Sequence, residues 1–173
     1  KTTDINVLSN LTNLTSLQLV GNNIQDIHPL SNLVKLESLV LQSNKIIDIS
    51  PLRGLTKLKR LNLGYNNITD ITVLRNLKDL RHLYIEGNNI TTIEPLSELT
   101  KLGIFSVSVF HNVGDEIEFA WFEKEEQAFA SLFLGGNKIN NITPLLSNYN
   151  KGGLRSIDSI YIQNNNMDLF PES

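Results

Sequence analysis

His82, Glu86 and His111 are the residues best suited by type to hold a transition metal, because imidazole and carboxylate together make an ordinary ligand set. No HxH or HExxH pattern fixes them on one face, however. His28 stands on a different segment. Asp26, Asp48 and Asp70 recur every 22 residues, which raises calcium as a question. Carboxylates repeated at that spacing would stand in a line rather than form an oxygen cage, so they read as groups that cap local turns. GxSxG and phosphate-cradling glycine loops are absent, and Gly135-Gly136 falls inside a strand phrase. The lack of cysteine removes disulfides, thiolate metal sites and thiol nucleophiles. The expectation is no catalytic residue, no metal and no cofactor: the chain does not read as an enzyme. Lys59, Arg60 and Arg81 with Tyr65 and Tyr84 form too small a basic patch, on a chain of net charge −3, to suggest a nucleic-acid partner. No apolar run reaches the roughly 20 residues of a membrane span, so no membrane insertion is expected in this segment.

These side chains sit on a repeat. Asn22, Asn44, Asn66 and Asn88 are each 22 residues apart. Leu14, Leu36, Leu58 and Leu80 move with them, as do Leu17, Leu39, Leu61 and Leu83, and the isoleucines at 24, 46, 68 and 90. In LQL the alternation predicts a short strand with Leu17 and Leu19 inward and Ser16, Gln18 and Val20 outward. One such unit cannot bury enough apolar surface to offset the entropy of ordering it, so stability must come from stacking on neighbours. An inward asparagine can donate to and accept from the backbone of the turn after each strand. The register therefore predicts a buried asparagine ladder of Asn22, Asn44, Asn66, Asn88, Asn112, Asn137 and Asn165. So short a repeat leaves room opposite the strand only for extended chain or brief 3₁₀ turns.

The period breaks after Asn88. The favoured register gives Val107, Val109 and Asn112 the roles of Leu17, Leu19 and Asn22, which makes the asparagine spacings 24, 25 and 28. A competing register uses Phe105 and Val107 and loses the asparagine at Phe110. WFEKEEQAFASL has near-helical apolar spacing, predicting a short helix over roughly 118–128 on the side away from the strands. SNYNKGG, at 147–153, reads as a polar loop. The whole predicts one mostly-β α/β solenoid over 1–173. It comprises a partial unit at 1–10, regular repeats at 11–102, longer irregular repeats at 103–166 and a terminal piece at 167–173. Lys1 and the incomplete first unit suggest a fragment or processed form of a longer chain.

The phrase LxxLxLxxNxI is the leucine-rich-repeat signature. DIHPLSNL, DISPLRGL and TTIEPLSELTKL resemble the internalin class of bacterial leucine-rich-repeat proteins, closely over 1–102 and loosely over 129–166. The irregular 103–131 unit departs from that pattern. The resemblance implies a curved parallel sheet on a concave face. It also implies a secreted or cell-surface bacterial protein with a role in adhesion, recognising a host or neighbouring-cell protein. An alternative is an intracellular scaffold similar to the leucine-rich-repeat regulatory subunit of protein phosphatase 1.

Outward strand positions form columns about 4.8 Å apart from rung to rung. Their ends are small and polar. The middle gathers Lys59, Arg60, Tyr65, Arg81, His82, Tyr84 and Glu86, extended by Phe110, His111, Phe133 and Tyr161. Aromatics ringed by charge are the usual composition of protein-interface anchors. The expected partner is a protein of unspecified identity, bound on the concave face by a monomer.

Overall fold

In a computed structural model, the described residues are 1–102, 112–113, 116–117, 130–133, 137–141, 143–151 and 157–161. Four short strands follow the repeat: β1 Ser16–Gln18, β2 Ser38–Val40, β3 Arg60–Asn62 and β4 His82–Tyr84. Each pairs in parallel with the next, residue n beside residue n + 22, as in Leu17, Leu39, Leu61 and Leu83. Each of these strands is followed by a 3₁₀ turn, at His28–Leu30, Ser50–Gly54, Thr72–Asn76 and Glu94–Glu98, and a fifth, Asn6–Asn10, precedes β1. Pro29, Pro51 and Pro95 open three of them, where a fixed φ helps and a missing N–H costs nothing.

Leucines and isoleucines of successive units stack into one continuous core between sheet and turns. Leu36, Leu39, Leu41, Ile46, Leu52 and Leu55 are wholly buried, and so are their counterparts Leu58, Leu61, Leu63, Ile68, Leu74 and Leu77. The first unit is only partly covered, with Leu14, Leu17 and Leu19 packed against the core but not enclosed. This is what a stacked architecture requires, since each rung is buried by its two neighbours.

The turns are capped by the recurring carboxylates. Asp26, Asp48 and Asp70 accept the N–H two residues ahead, at 2.8, 2.8 and 2.7 Å, and thereby hold the backbone at the entry to each 3₁₀ turn. Asp26 is held below its ordinary pKa by the His28 backbone bond first. Asp70 is held low chiefly by the hydroxyl and backbone of Thr72.

Beyond Asn88 the structure departs from the sequence reading. Residues Asn112–Val113 (β5) and Glu116–Ile117 (β6) form a two-stranded antiparallel pair, separate from the main sheet. The next strand on β4 is β7, Ala130–Phe133, with Tyr84 beside Phe133; β8, Ile157–Tyr161, follows it. Asn112 is therefore not the rung after Asn88, as the favoured register had it. The backbone edge of the fourth rung is already engaged: Ile90 donates to Asn137 and accepts from Lys138. Each donor and acceptor along that edge can join only one neighbouring rung. Residues 118–128, expected as a helix, lie outside the described residues, as do Phe105 and Val107 of the competing register.

An α-helix does occur, at α1 Thr143–Asn150, where a polar loop was expected over 147–153. Asn141 caps it by accepting the Thr143 N–H at 2.8 Å, and Pro144 sits in its first turn. Leu145 is buried, and Asn148 points inward to donate to the Leu96 and Leu99 carbonyls at 2.5 and 3.0 Å. Lys151, just past the helix, pairs with Glu98. The polar residues that suggested a loop are thus used to dock the helix on the turn Glu94–Glu98.

Candidate functional site

The asparagines set the spacing of everything on the sheet. Asn44 accepts the Ile24 N–H at 3.1 Å and donates to the carbonyls of Leu19 and Leu41 at 2.8 and 2.9 Å. Asn66 repeats this with Ile46, Leu41 and Leu63, and Asn88 repeats it with Ile68, Leu63 and Ile85. Asn137 continues the row, accepting from Ile90 and donating to Ile85 at 3.0 Å. Each carboxamide therefore ties its own rung to the one before. Asn22 is only partly buried and accepts from Thr2 instead, at 2.9 Å. The side chains of Asn112 and Asn165 lie outside the described residues.

At the end of the strand phrase, one position in each of the first four rungs turns left-handed. Gly21, Ser43, Tyr65 and Gly87 have φ of 69°, 56°, 55° and 63°. Glycine adopts this freely, whereas a residue with a Cβ is strained by about 1–2 kcal/mol. Tyr65 occupies this strained position with its ring laid against Gly87. A Cβ on Gly87 would come 2.7 Å from the Tyr65 ring, so the missing side chain is what seats the aromatic. Tyr65 remains 41% exposed.

The rest of the central face is more enclosed than the sequence suggested. Tyr84 and Glu86, expected as exposed contacts, are buried, at 7% and 6% exposure. In the sheet register Tyr84 stands between Asn62 and the strand position of Phe133. Glu86 leans across Gly64: a Cβ there would lie 2.5 Å from Glu86 Oε1. Neither carboxylate oxygen has a hydrogen-bond partner among the described residues, and burial pushes the group up to about 7. Beside it Gln42 accepts from Asn62 Nδ2 at 3.2 Å, while Asn62 Oδ1 accepts the Gly64 N–H at 3.0 Å. Val40, Gln42, Asn62 and Gly64 are also buried, so this face is closed over rungs two to four and open at Ser16 and Gln18.

Lys59, Arg60, Arg81 and His82 occupy the strand entrances. Lys59 is exposed and pairs with Glu37 at 2.8 Å. Arg60 and His82 stand side by side in register, half-buried, with Arg81 next to them. Burial first, then the charges of Arg60 and Arg81, push His82 down to about 4, so its ring is neutral at neutral pH. Phe133 and Tyr161 continue the backbone column of Tyr84, while Phe110 and His111 lie outside the described residues. Among the described residues, no three histidine or acidic side chains come together as metal ligands.

A family model of paired leucine-rich repeats matches residues 12–54, 34–76 and 56–98. No curated protein matches the sequence. Among solved structures, internalin C2 of Listeria monocytogenes is 30% identical with a TM-score of 0.74, over 96% of this chain and 59% of that one. Listeria internalin F is also 30% identical, with a TM-score of 0.55, over 92% of this chain and 57% of that one. A leucine-rich-repeat protein of Leptospira interrogans shares the fold at 24% identity and a TM-score of 0.68, with 94% of this chain covered and 34% of that chain. The chain thus spans just under three fifths of either internalin structure it matches.

Proposed function

Because the chain belongs to the leucine-rich-repeat family and is internalin-like, we propose that it recognises a protein partner through the open rim of its concave sheet. Leucine-rich-repeat solenoids of this kind are protein–protein interaction modules. The rim reading centres on Arg60, Tyr65, Arg81 and His82, with Lys59 at its margin and Phe110, His111, Phe133 and Tyr161 as its extension. Tyr84 and Glu86 support the rim from beneath.

The observation that carries this reading is Tyr65. An aromatic ring left partly exposed, on a strained backbone where the first and fourth rungs use glycine, is what a recognition residue looks like. Its seat on Gly87 also holds the ring in place before any partner arrives, which lowers the entropy lost on binding. The likeness to Listeria internalins supports a bacterial surface or secreted setting and an adhesive role. No helix among the described residues is long and apolar enough to cross a membrane.

The test is capture from host-cell and bacterial surface proteins by wild type, by Arg60→Ala/Tyr65→Ala, and by the opposite-side variant Ile47→Ala/Arg53→Ala. Capture lost in the first variant and kept in the second, with both melting like wild type, is the expected result. Equal capture by all three proteins overturns the rim assignment.

A further inference from the structure

We propose that His82 and Glu86, two ionisable groups on one face of the fourth rung, act in opposition to hold its stability level across the mildly acidic range. Strand β4 and the residues after it place His82, Tyr84 and Glu86 at alternate positions, hence on the same side of the sheet. Glu86 lies over Gly64 with both oxygens buried and, among the described residues, without hydrogen-bond partners. His82 stands in register with Arg60 on the adjoining strand, half-buried, and feels the charges of Arg60 and Arg81.

Among the described residues, the surroundings contain little else that titrates in this range. From the third rung, Arg60 and Tyr65 approach; from the fourth, Arg81 and Tyr84 do. Burial raises Tyr65 and takes Tyr84 up to about 12, so both phenols stay protonated. The second rung offers only Ser38, Val40 and Gln42 on this face, and β7 contains no ionisable residue.

The two groups then pull in opposite directions. Glu86 rises from 4.5 to about 7 on folding, so the folded protein takes up its proton first as pH falls, and acidification stabilises it. That gain is complete below 4.5 and lost as pH rises through about 7. His82 drops from 6.5 to about 4, so the unfolded chain takes up its proton first, and acidification destabilises the fold. Their pH windows overlap. Asp26, Asp70, Asp79 and Glu98, all held below their ordinary values, act only in more acid solution.

Equilibrium urea unfolding of the full chain, from about pH 5 to about pH 7.5, tests this for wild type, Glu86→Gln and His82→Gln. Relative to wild type, Glu86→Gln should lose folding equilibrium as the solution is acidified, by roughly tenfold or more. His82→Gln should gain by a comparable factor, leaving wild type with the flattest profile. Parallel profiles for all three proteins, or a changed slope in only one variant, overturn the opposition. A carboxyl ¹³C titration of Glu86 in the wild-type protein keeps the test independent of variant folding. A midpoint near 7 is expected, and a midpoint in the ordinary carboxylate range overturns the proposal.

Discussion

The carboxylate of Glu86 lies in the space left by the missing side chain of Gly64, one rung away, where a Cβ would meet Oε1 at 2.5 Å. Two equivalent positions of adjoining repeats, 22 residues apart, are thus one packing unit. The same logic seats the Tyr65 ring on Gly87, and both pairs join rungs three and four on the face that carries the candidate site.

Gly64→Ala should destabilise the protein by about 1–3 kcal/mol, because an added methyl must displace an enclosed side chain. In a Glu86→Ala background most of that cost should vanish. Urea unfolding of the two single variants and the double variant gives the coupling directly. Additive costs would contradict the packing.

The asparagine ladder makes a sharper contrast between neighbours in sequence. Asn66→Ala leaves the Ile46 N–H and the Leu41 and Leu63 carbonyls without their side-chain partner, at about 1–3 kcal/mol for each buried group that stays unpaired. Asn67, the next residue, is exposed, and its replacement by Ala should change stability by less than ~0.5 kcal/mol. Similar losses at both positions would count against the ladder.

The left-handed column predicts effects of opposite sign. Gly87→Ala introduces a Cβ at φ 63° and against the Tyr65 ring, and should cost at least ~1–2 kcal/mol. Ser43→Gly relieves the strain at φ 56° and should stabilise by up to ~1 kcal/mol. Thermal melts suffice to check both, and a destabilised Ser43→Gly would show that the hydroxymethyl group has packing worth more than the strain.

Acid unfolding should depend in part on the turn caps. Asp70 is held below 3.8 by Thr72, so the stability it supplies is present above 3.8 and lost as pH falls through the lower folded-state value. Asp70→Asn keeps an oxygen to accept the Thr72 N–H but does not titrate. Its unfolding profile in strong acid should therefore be shallower than that of wild type, and an unchanged slope would show that Asp70 does not contribute.

Repeat period, strand positions, 3₁₀ turns and core columns were legible because one pattern repeats with fixed spacing, and stacking forces equivalent residues into equivalent places. The register after Asn88 was not, because nothing local marks which asparagine phrase will meet the open edge of the fourth rung. Asn112 and Asn137 present the same motif, and only the structure distinguishes them, through the pairing of Ile90 with Asn137 and of β4 with β7. Helix α1 was missed because Asn148 looks like a loop residue until its partners, the carbonyls of Leu96 and Leu99, are known. The site was half legible. Sequence columns placed Arg60, Tyr65 and His82 together, but strand alternation says which side a residue faces and not how enclosed that side is. The glycines at 21 and 87 were an available sign of the left-handed column; that Tyr65 stands in the same column is what gives it meaning.

Side-chain carboxamide hydrogen exchange, followed by NMR on the native protein, tests the central claim that inward asparagines tie the rungs together. The Nδ2 protons of Asn44, Asn66 and Asn88 should be protected far beyond those of exposed Asn67. Exchange at the same rate in all four would contradict the ladder, and with it the stacked architecture that presents the proposed binding rim.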